Sequence, residues 1–435
     1  MAEQKISVKV ATAVSLGAII GAGIFVLSGT AIALSGVASL FAFMLVGILA
    51  VIVAMEIGEL SSMFPKAKGS VFSFVYEAFG SELGFITGML LYFSFSSSIS
   101  VIALGFGSYF QSLFGSYFPS IAVAIALILV LSFVNILGIK KATKADFGLV
   151  LIKISILIIF IAFAFFYALS GHFTPSNFAT PSSMFSIGAI FAASIAVFFA
   201  YSGFQVVSTF TSSMDSGRSA AKAILYSVII SMALYVIVDM SLMLLAPVSV
   251  YKISADPLSV ALKFSHSPSF MLVLIDIGAM IATTSASLAM ILGSSRILYQ
   301  ISSNRLAPKI FRGYNARTDV SVNNVIITMI IAITMLFSGN VYIIAAISNF
   351  GLLFSYIMAG LSLMHFRRAK LSGTFKIPLY PYLTVISIIM LIIFIYGMPK
   401  EALVLGLGML ISLFVVYYFL RELKNKKPVK IYLFR

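Results

Sequence analysis

Lys153 stands inside an apolar run, LVLIKISILIIF, about a third of the way along a stretch whose only other charge is Asp146 at its start. A charged group at the middle of a bilayer costs roughly 2.5–3.5 kcal/mol on insertion scales, so its presence needs a reason. One reason is that the long stem snorkels to a polar edge. The other is a buried amine facing other helices, able to release and take up a proton because desolvation disfavours its charged form. A second unusual feature is SLGAIIGAGIFVLSGTA, with Gly17, Gly21 and Gly23 in the middle of an apolar run. Small residues four apart let helices pack closely. Gly21-Ala22-Gly23 also lets the backbone leave the helix, which would aim the amides from Ile24 onward at an anion and the preceding carbonyls at a cation. A third is FFAYSGFQVVSTF, where Ser202-Gly203 follows an aromatic residue at the same depth.

Other polar groups fall into simpler roles. Glu56 and Glu59 are three apart and share a helix face near the end of an apolar run. They suit either an interfacial carboxylate or a pairing with a nearby Arg or Lys. Asp239 and Asp276 lie toward the ends of their runs, where a hydrogen bond to another helix or a watery vestibule is the expected use. Arg296 reads as an orientation charge, and Ser94, Ser96, Ser97, Ser98 and Ser100 form a stripe suited to close helix packing. There is no cysteine, and His172, His266 and His365 are scattered. No metal site, nucleophile–base pair or paired acid is expected, and no cofactor is implied.

The elements that carry these residues must live in lipid. Of the residues, 61% are hydrophobic and only 9% charged, against about 25% charged in soluble domains; the mean hydropathy is +1.12. One soluble core cannot hide so much apolar surface, which excludes a soluble enzyme and a disordered chain. The net charge of +15 does not argue for nucleic acid, because the basic residues cluster in short connections between apolar runs.

A hydrocarbon core of about 30 Å needs about 20 helical residues. Twelve runs of that kind are expected, at 10–35, 37–62, 83–110, 119–138, 146–170, 185–209, 221–246, 269–299, 321–338, 341–365, 380–398 and 402–420. The first of them is too long for a signal-peptide core. Of the 28 basic residues, only Lys252, Lys263 and Lys400 fall on one side of this arrangement, and only Lys153 falls deep inside a span, Lys222 and Arg296 standing at the ends of theirs. The rest share the side of both termini, which assigns the termini to the cytoplasm of a multi-pass cell-membrane protein. Tyr and Phe serve as interfacial anchors in the absence of Trp. The connections are short, so function is expected in the helix bundle itself. Glycine interruptions in spans 1 and 6, five apart, imply two inverted repeats, helices 1–5 and 6–10, with 11 and 12 appended.

The segment GAIIGAGIFVLSGTA resembles the first-helix signature of the amino acid–polyamine–organocation (APC) transporter superfamily. ELSSMFPKAKGSVFSFVYEAFGSELGFITG is similar to that family's helix 2–3 connection, with Lys68 where Gly is usual. NILGIKKATKADFGLVLIK, FFAYSGF and SSRILYQISSNRLAPKIF are similar to its helix 4–5 region, sixth helix and end of helix 8, so the ordered match covers about residues 8–312. After helix 6, TSSMDSGRSAAKAI departs from the family's Glu-rich, Asn-Pro-containing loop.

The resemblance implies an all-α, leucine-transporter-type fold and amino acid transport by alternating access. It implies substrate carboxylate binding at amides around Ala22, Gly23 and Ile24, next to Gly21. It also implies ammonium binding at carbonyls near Ile20 and around Phe199, Ala200 and Tyr201, beside Ser202 and Gly203, with Tyr201 as a lid. Lys153 matches a helix 5 lysine that replaces sodium in some proton-coupled members, with Gly17, Thr284 and Ser285 as its expected neighbours. Glu59 matches a common family glutamate and is expected at an inner gate. The implied partners are an amino acid, the proton and the lipid bilayer, with no nucleic acid. An exchanger or a polyamine carrier on the same fold is the first alternative; no carboxylate beside either break favours neutral amino acids. A channel would need a continuous polar pore.

Overall fold

The computed structural model describes residues 7–64, 71–138, 142–204, 214, 216–315 and 320–424. Among the described residues the elements are helical, apart from an isolated antiparallel bridge between Asn315 and Val320. In chain order the helices are α1 (Val8–Ile19), α2 (Ala22–Ser35), α3 (Ser39–Met63), α4 (Val71–Phe79), α5 (Ser81–Phe114), α6 (Ser120–Leu137) and α7 (Ala142–Tyr167). They continue with α8 (Ile187–Ala200), α9 (Gly217–Leu245), α10 (Pro257–Phe264), α11 (Ser269–Ser303), α12 (Val322–Met335), α13 (Val341–Arg368), α14 (Tyr382–Tyr396) and α15 (Lys400–Lys424).

Eight helical stretches among the described residues are long and apolar enough to cross a membrane. Four shorter apolar helices are α1, α8, α12 and α14. Gly23–Met63 counts as one stretch of 41 residues, twice the length one crossing needs. A short 3₁₀ turn at Gly36–Ala38 separates α2 from α3 within it. The outward faces are apolar: Val130 and Phe133 on α6, and Val404, Ile411 and Val415 on α15, are largely exposed. Lipid, not water, suits such a surface, because a helix already satisfies its own backbone. The chain is a multi-pass membrane protein.

Helices far apart in sequence pair within the bundle. α2 packs on α8, α3 on α9, α5 on α11 and α6 on α12, while α1 lies between α7 and α9. Short helices α4 and α10 were not anticipated from the run lengths, because each is only a few turns of an amphipathic connection. α5 and α11 run several residues past the expected ends, to Phe114 and Ser303.

The connections sort into two ends. At one, Ser62 Oγ near the end of α3 donates to Phe375 O at 3.3 Å and accepts from its N–H at 3.2 Å, tying α3 to the α13–α14 connection. At the other, Val37 N–H donates to Thr180 Oγ1 at 3.1 Å and Asn177 Nδ2 donates to Leu244 O at 3.3 Å. Lys66, Lys68, Lys140, Lys141, Arg317 and the tail from 425 lie outside the described residues, as does 205–209 of the sixth expected span.

Candidate functional site

α1 and α2 are one apolar run broken at two residues. Ile20 N–H still donates to Leu16 O at 2.6 Å, but Gly21 N–H turns to Ile19 O at 2.7 Å. Gly21 takes φ −93° and ψ −141°, and α2 starts at Ala22. The N–H groups of Ala22, Gly23 and Ile24 therefore have no acceptor within their own helix, and they gather at its positive end. Ile20 and Ile24 are buried.

α8 ends at Ala200, where Tyr201 N–H donates to Phe198 O and Ser202 N–H to Phe199 O, both at 3.2 Å. The Ser202 hydroxyl adds a bond to Phe199 O at 2.7 Å. Gly203 has φ +113°, a conformation that favours glycine.

These two breaks touch. A Cβ on Gly203 would lie 2.6 Å from Ala18 O, and one on Gly23 would lie 2.3 Å from Ala200 Cα. A Cβ on Gly21 would meet Ala286 of α11 at 3.3 Å. Glycine is thus needed at 23 and 203 for close approach, and only there do the two interrupted runs fit together.

Tyr235 of α9 stands across the junction. Its hydroxyl lies 2.8 Å from Ile19 O and 3.0 Å from Ala200 O, the carbonyls that end α1 and α8. One O–H proton serves two acceptors there, and Ile19 O also accepts from Gly21 N–H. Tyr201 packs edge-on against Tyr235, with ring centroids 5.2 Å apart. The Tyr201 hydroxyl donates to Phe43 O of α3 at 3.0 Å, which fixes this ring between α3 and α9.

Lys153 is buried on α7, with 1% of its surface exposed, and Nζ donates to Gly17 O at 3.5 Å. α7 sits directly on α1, since a Cβ on Gly17 would lie 2.1 Å from Val150 Cγ2. Of the two expected helix 8 hydroxyls, Thr284 donates back to Met280 O of its own helix at 2.7 Å, and Ser285 is buried on α11. α11 is itself in contact with α7, through Gly278 against Ile156.

Glu59 is fully buried and clamped at the end of α3. Arg367 Nε and Nη2 donate to its two oxygens at 2.7 Å each, and Ile377 N–H donates to Oε2 at 2.7 Å. The Arg367 guanidinium also lies 4.1 Å over the Tyr380 ring, a stacking that holds its planar fork toward the carboxylate.

The remaining buried acids are helix ties. Ser387 of α14 donates to Glu56 at 2.6 Å, Ser39 to Asp239 at 2.5 Å, and Ser259 of α10 to Asp276. The α5 serine stripe serves interhelical contact as well. Ser98 and Ser348 of α13 are 2.8 Å apart, and Ser100 donates to Ala332 O of α12 at 2.6 Å. Among the described residues no group of three or more His, Asp or Glu is placed to hold a metal ion.

Sequence reasoning missed Tyr235 and the partner of Glu59. Tyr235 lies in MALYVIVDM, one helical turn before Asp239; two polar groups four apart in an apolar run share a face and mark it. Arg367 lies in a basic cluster and reads only as an orientation charge.

The fold and site together define a class: an all-helical, multi-pass membrane protein in which the break between α1 and α2 meets the end of α8 from a separate part of the chain. The chain belongs to the amino acid permease family, whose model matches residues 6–420. It is 27% identical to a methylthioribose transporter of Bacillus subtilis over 409 residues, covering 89% of this chain and 87% of that protein. It is 25% identical to the branched-chain amino acid permease BcaP of Lactococcus lactis over 441 residues, 95% of this chain and 94% of that one. A vacuolar cationic amino acid transporter of Arabidopsis thaliana is 28% identical over 82% of this chain, which spans 58% of that longer protein.

Proposed function

We propose that the chain is a secondary active transporter of amino acids across the cell membrane, working by alternating access, coupled to protons and independent of sodium. The observation that carries this reading is the junction of the two helix breaks, with free-ended amides at Ala22, Gly23 and Ile24 on one side and the Ile19 and Ala200 carbonyls on the other. An amino acid offers the complementary pair, a carboxylate for a helix N-terminus and an ammonium for carbonyls. Relatives named as amino acid permeases and cationic amino acid transporters support the substrate class.

The twelve-span plan with two inverted repeats is supported by the pairings in the bundle. Taking α1 with α2 as span 1, α3 as 2, α5 as 3 and α6 as 4, each packs on the span five later: α8, α9, α11 and α12. An inverted repeat about an axis in the membrane plane brings equivalent helices together in this way. The distribution of basic residues supports cytoplasmic termini. Neutral amino acids are favoured because, among the described residues, no carboxylate bonds to either break.

Lys153 is the proposed coupling group. Its ammonium donates to the first-helix backbone at Gly17, four residues before the break, where a monovalent cation would otherwise neutralise the carbonyl end of α1. Glu59 with Arg367 is proposed as an inner gate, because the pair and Ile377 join α3 to the end of α13 and the connection beyond it.

The test is uptake of radiolabelled neutral and cationic amino acids into sodium-free proteoliposomes, with and without an inward proton gradient. Accumulation that follows the gradient, and is lost in Lys153→Ala, is the expected result. Uptake indifferent to the gradient but dependent on internal amino acid would replace this reading with an exchanger.

A further inference from the structure

The end of the bundle that holds Glu59 also carries a cavity of about 420 Å³, lined by Arg218, Lys222, Gly373, Thr374, Phe375 and Lys376. Among the described residues that line it, three are cationic and none is acidic. Among the described residues no carboxylate forms an ion pair with Arg218, Lys222 or Lys376. Two of these cations sit where a helix least favours them. Arg218 and Lys222 occupy the first two turns of α9, whose first turn has no acidic residue. A helix N-terminus already carries about half a positive charge, so cations there repel it until an anion arrives. The third cation comes from a different element, the α13–α14 connection, so the cavity is built between helices and is not the face of one.

Its wall is fixed. The connection is held by the Ser62–Phe375 bonds and by Ile377 N–H on Glu59. A Cβ at Gly373 would lie 1.9 Å from Ser62 Oγ, so the backbone is seated against α3. Ala221 of α9 packs on Gly58 of α3, its Cβ 3.0 Å from where a Cβ on Gly58 would be. Both sides of the cavity therefore lean on the end of α3, and the three cations are carried on braced backbone.

We infer that this cavity is a binding site for the phosphate of an anionic membrane lipid. A phosphodiester matches a cluster of Arg, Lys and a Thr hydroxyl beside a helix N-terminus. Basic pockets between transmembrane helices at the cytoplasmic surface are suited to such headgroups. The inference rests on the reading that this end meets the inner leaflet, and not on amino acid transport. A bound headgroup would bridge the start of α9 to the α13–α14 connection, next to the Glu59–Arg367 pair.

The test is native mass spectrometry of the full-length, delipidated protein in detergent, titrated with palmitoyl-oleoyl phosphatidylglycerol and, separately, with the matching phosphatidylcholine. One saturable, phosphatidylglycerol-selective lipid is expected. The triple variant Arg218→Gln, Lys222→Gln, Lys376→Gln should weaken it about a hundredfold, and Lys376→Gln alone about fivefold. Lys252→Gln with Lys400→Gln, at the other end, should leave it unchanged. The single variant changes one exposed side chain, so it answers even if the triple does not fold. Equal binding to Lys376→Gln and the parent, or equal binding of both lipids, overturns the proposal. Displacement of the lipid by millimolar inorganic phosphate would make the cavity a free-anion site and overturn the lipid assignment. Because the readout is binding, a failed uptake assay leaves this result standing.

Discussion

Gly23 of α2 and Ala200 of α8 meet backbone to backbone, so closely that a Cβ on Gly23 would lie 2.3 Å from Ala200 Cα. The contact joins two half-helices that are 177 residues apart in the numbering of this chain. It is what sets the free amides of α2 beside the carbonyl end of α8. Backbone contacts of this kind cannot yield by a side-chain rotation, so any larger residue must push the halves apart.

Gly23→Val is therefore expected to abolish uptake, with overpacking costing about 1–3 kcal/mol or more of stability. Gly148→Ala is the control, since a Cβ at Gly148 meets nothing within 4 Å. That change should keep full uptake and add about 0.5–1 kcal/mol. Uptake and thermal denaturation of both variants in detergent check the contrast; retained transport in Gly23→Val would detach the site from this junction.

The Tyr235 hydroxyl supports the same junction through Ile19 and Ala200. Tyr235→Phe keeps the ring and its packing on Tyr201 but removes the donor. Losing such a bond costs about 0.5–1.5 kcal/mol of stability, so a modest fall in melting temperature is expected together with a loss of affinity of about tenfold. Competition binding of unlabelled substrate measures it. If affinity is unaltered while stability falls, the hydroxyl is a scaffold bond only.

How far the sequence carried these conclusions depends on what kind of residue was involved. The breaks at Gly21 and Gly203 are legible only together: mid-run glycine also serves close helix packing, and it is the recurrence of the pattern five spans later that points to a break. That the breaks touch is not legible, since Gly23 and Ala200 are ordinary small residues until the helices are placed. Tyr235 is hidden by its own amphipathic character, because tyrosine in a span passes for an apolar residue or an interfacial anchor. Arg367 is hidden by its neighbours Arg368 and Lys370, which make it one of a cluster. Helices α4 and α10 were missed because run length finds spans, and these are too short to be spans.

Glu59 and Arg367 offer a direct measure of their coupling. Each is 2.7 Å from the other at two atoms, with Glu59 buried and Arg367 about one-fifth exposed. Removing either leaves a charged partner without its counter-ion. In a double-mutant cycle with Glu59→Gln and Arg367→Gln, each single change is expected to cost about 1.5–3 kcal/mol, because charge-assisted hydrogen bonds are the stronger class. The double variant should cost less than the sum of the singles. Additive losses would mean that the pair contributes nothing to stability beyond its separate contacts.

Lys153 separates coupling from transport. Its Nζ reaches the Gly17 carbonyl from a helix that contributes no residue to the junction itself. Lys153→Met keeps much of the stem and removes the charge, so the α1–α7 packing at Val150 is preserved. Proteoliposomes preloaded with amino acid should then still exchange it for labelled substrate, because exchange needs only the two orientations of a loaded site. Accumulation driven by an inward proton gradient should disappear, because no group remains to carry the proton back and forth with the cycle. Uptake by the parent is expected to depend on pH, and the variant is expected to lose that dependence. If Lys153→Met still accumulates substrate under a proton gradient, another group carries the proton, and the lysine holds α7 to α1 for structural reasons alone.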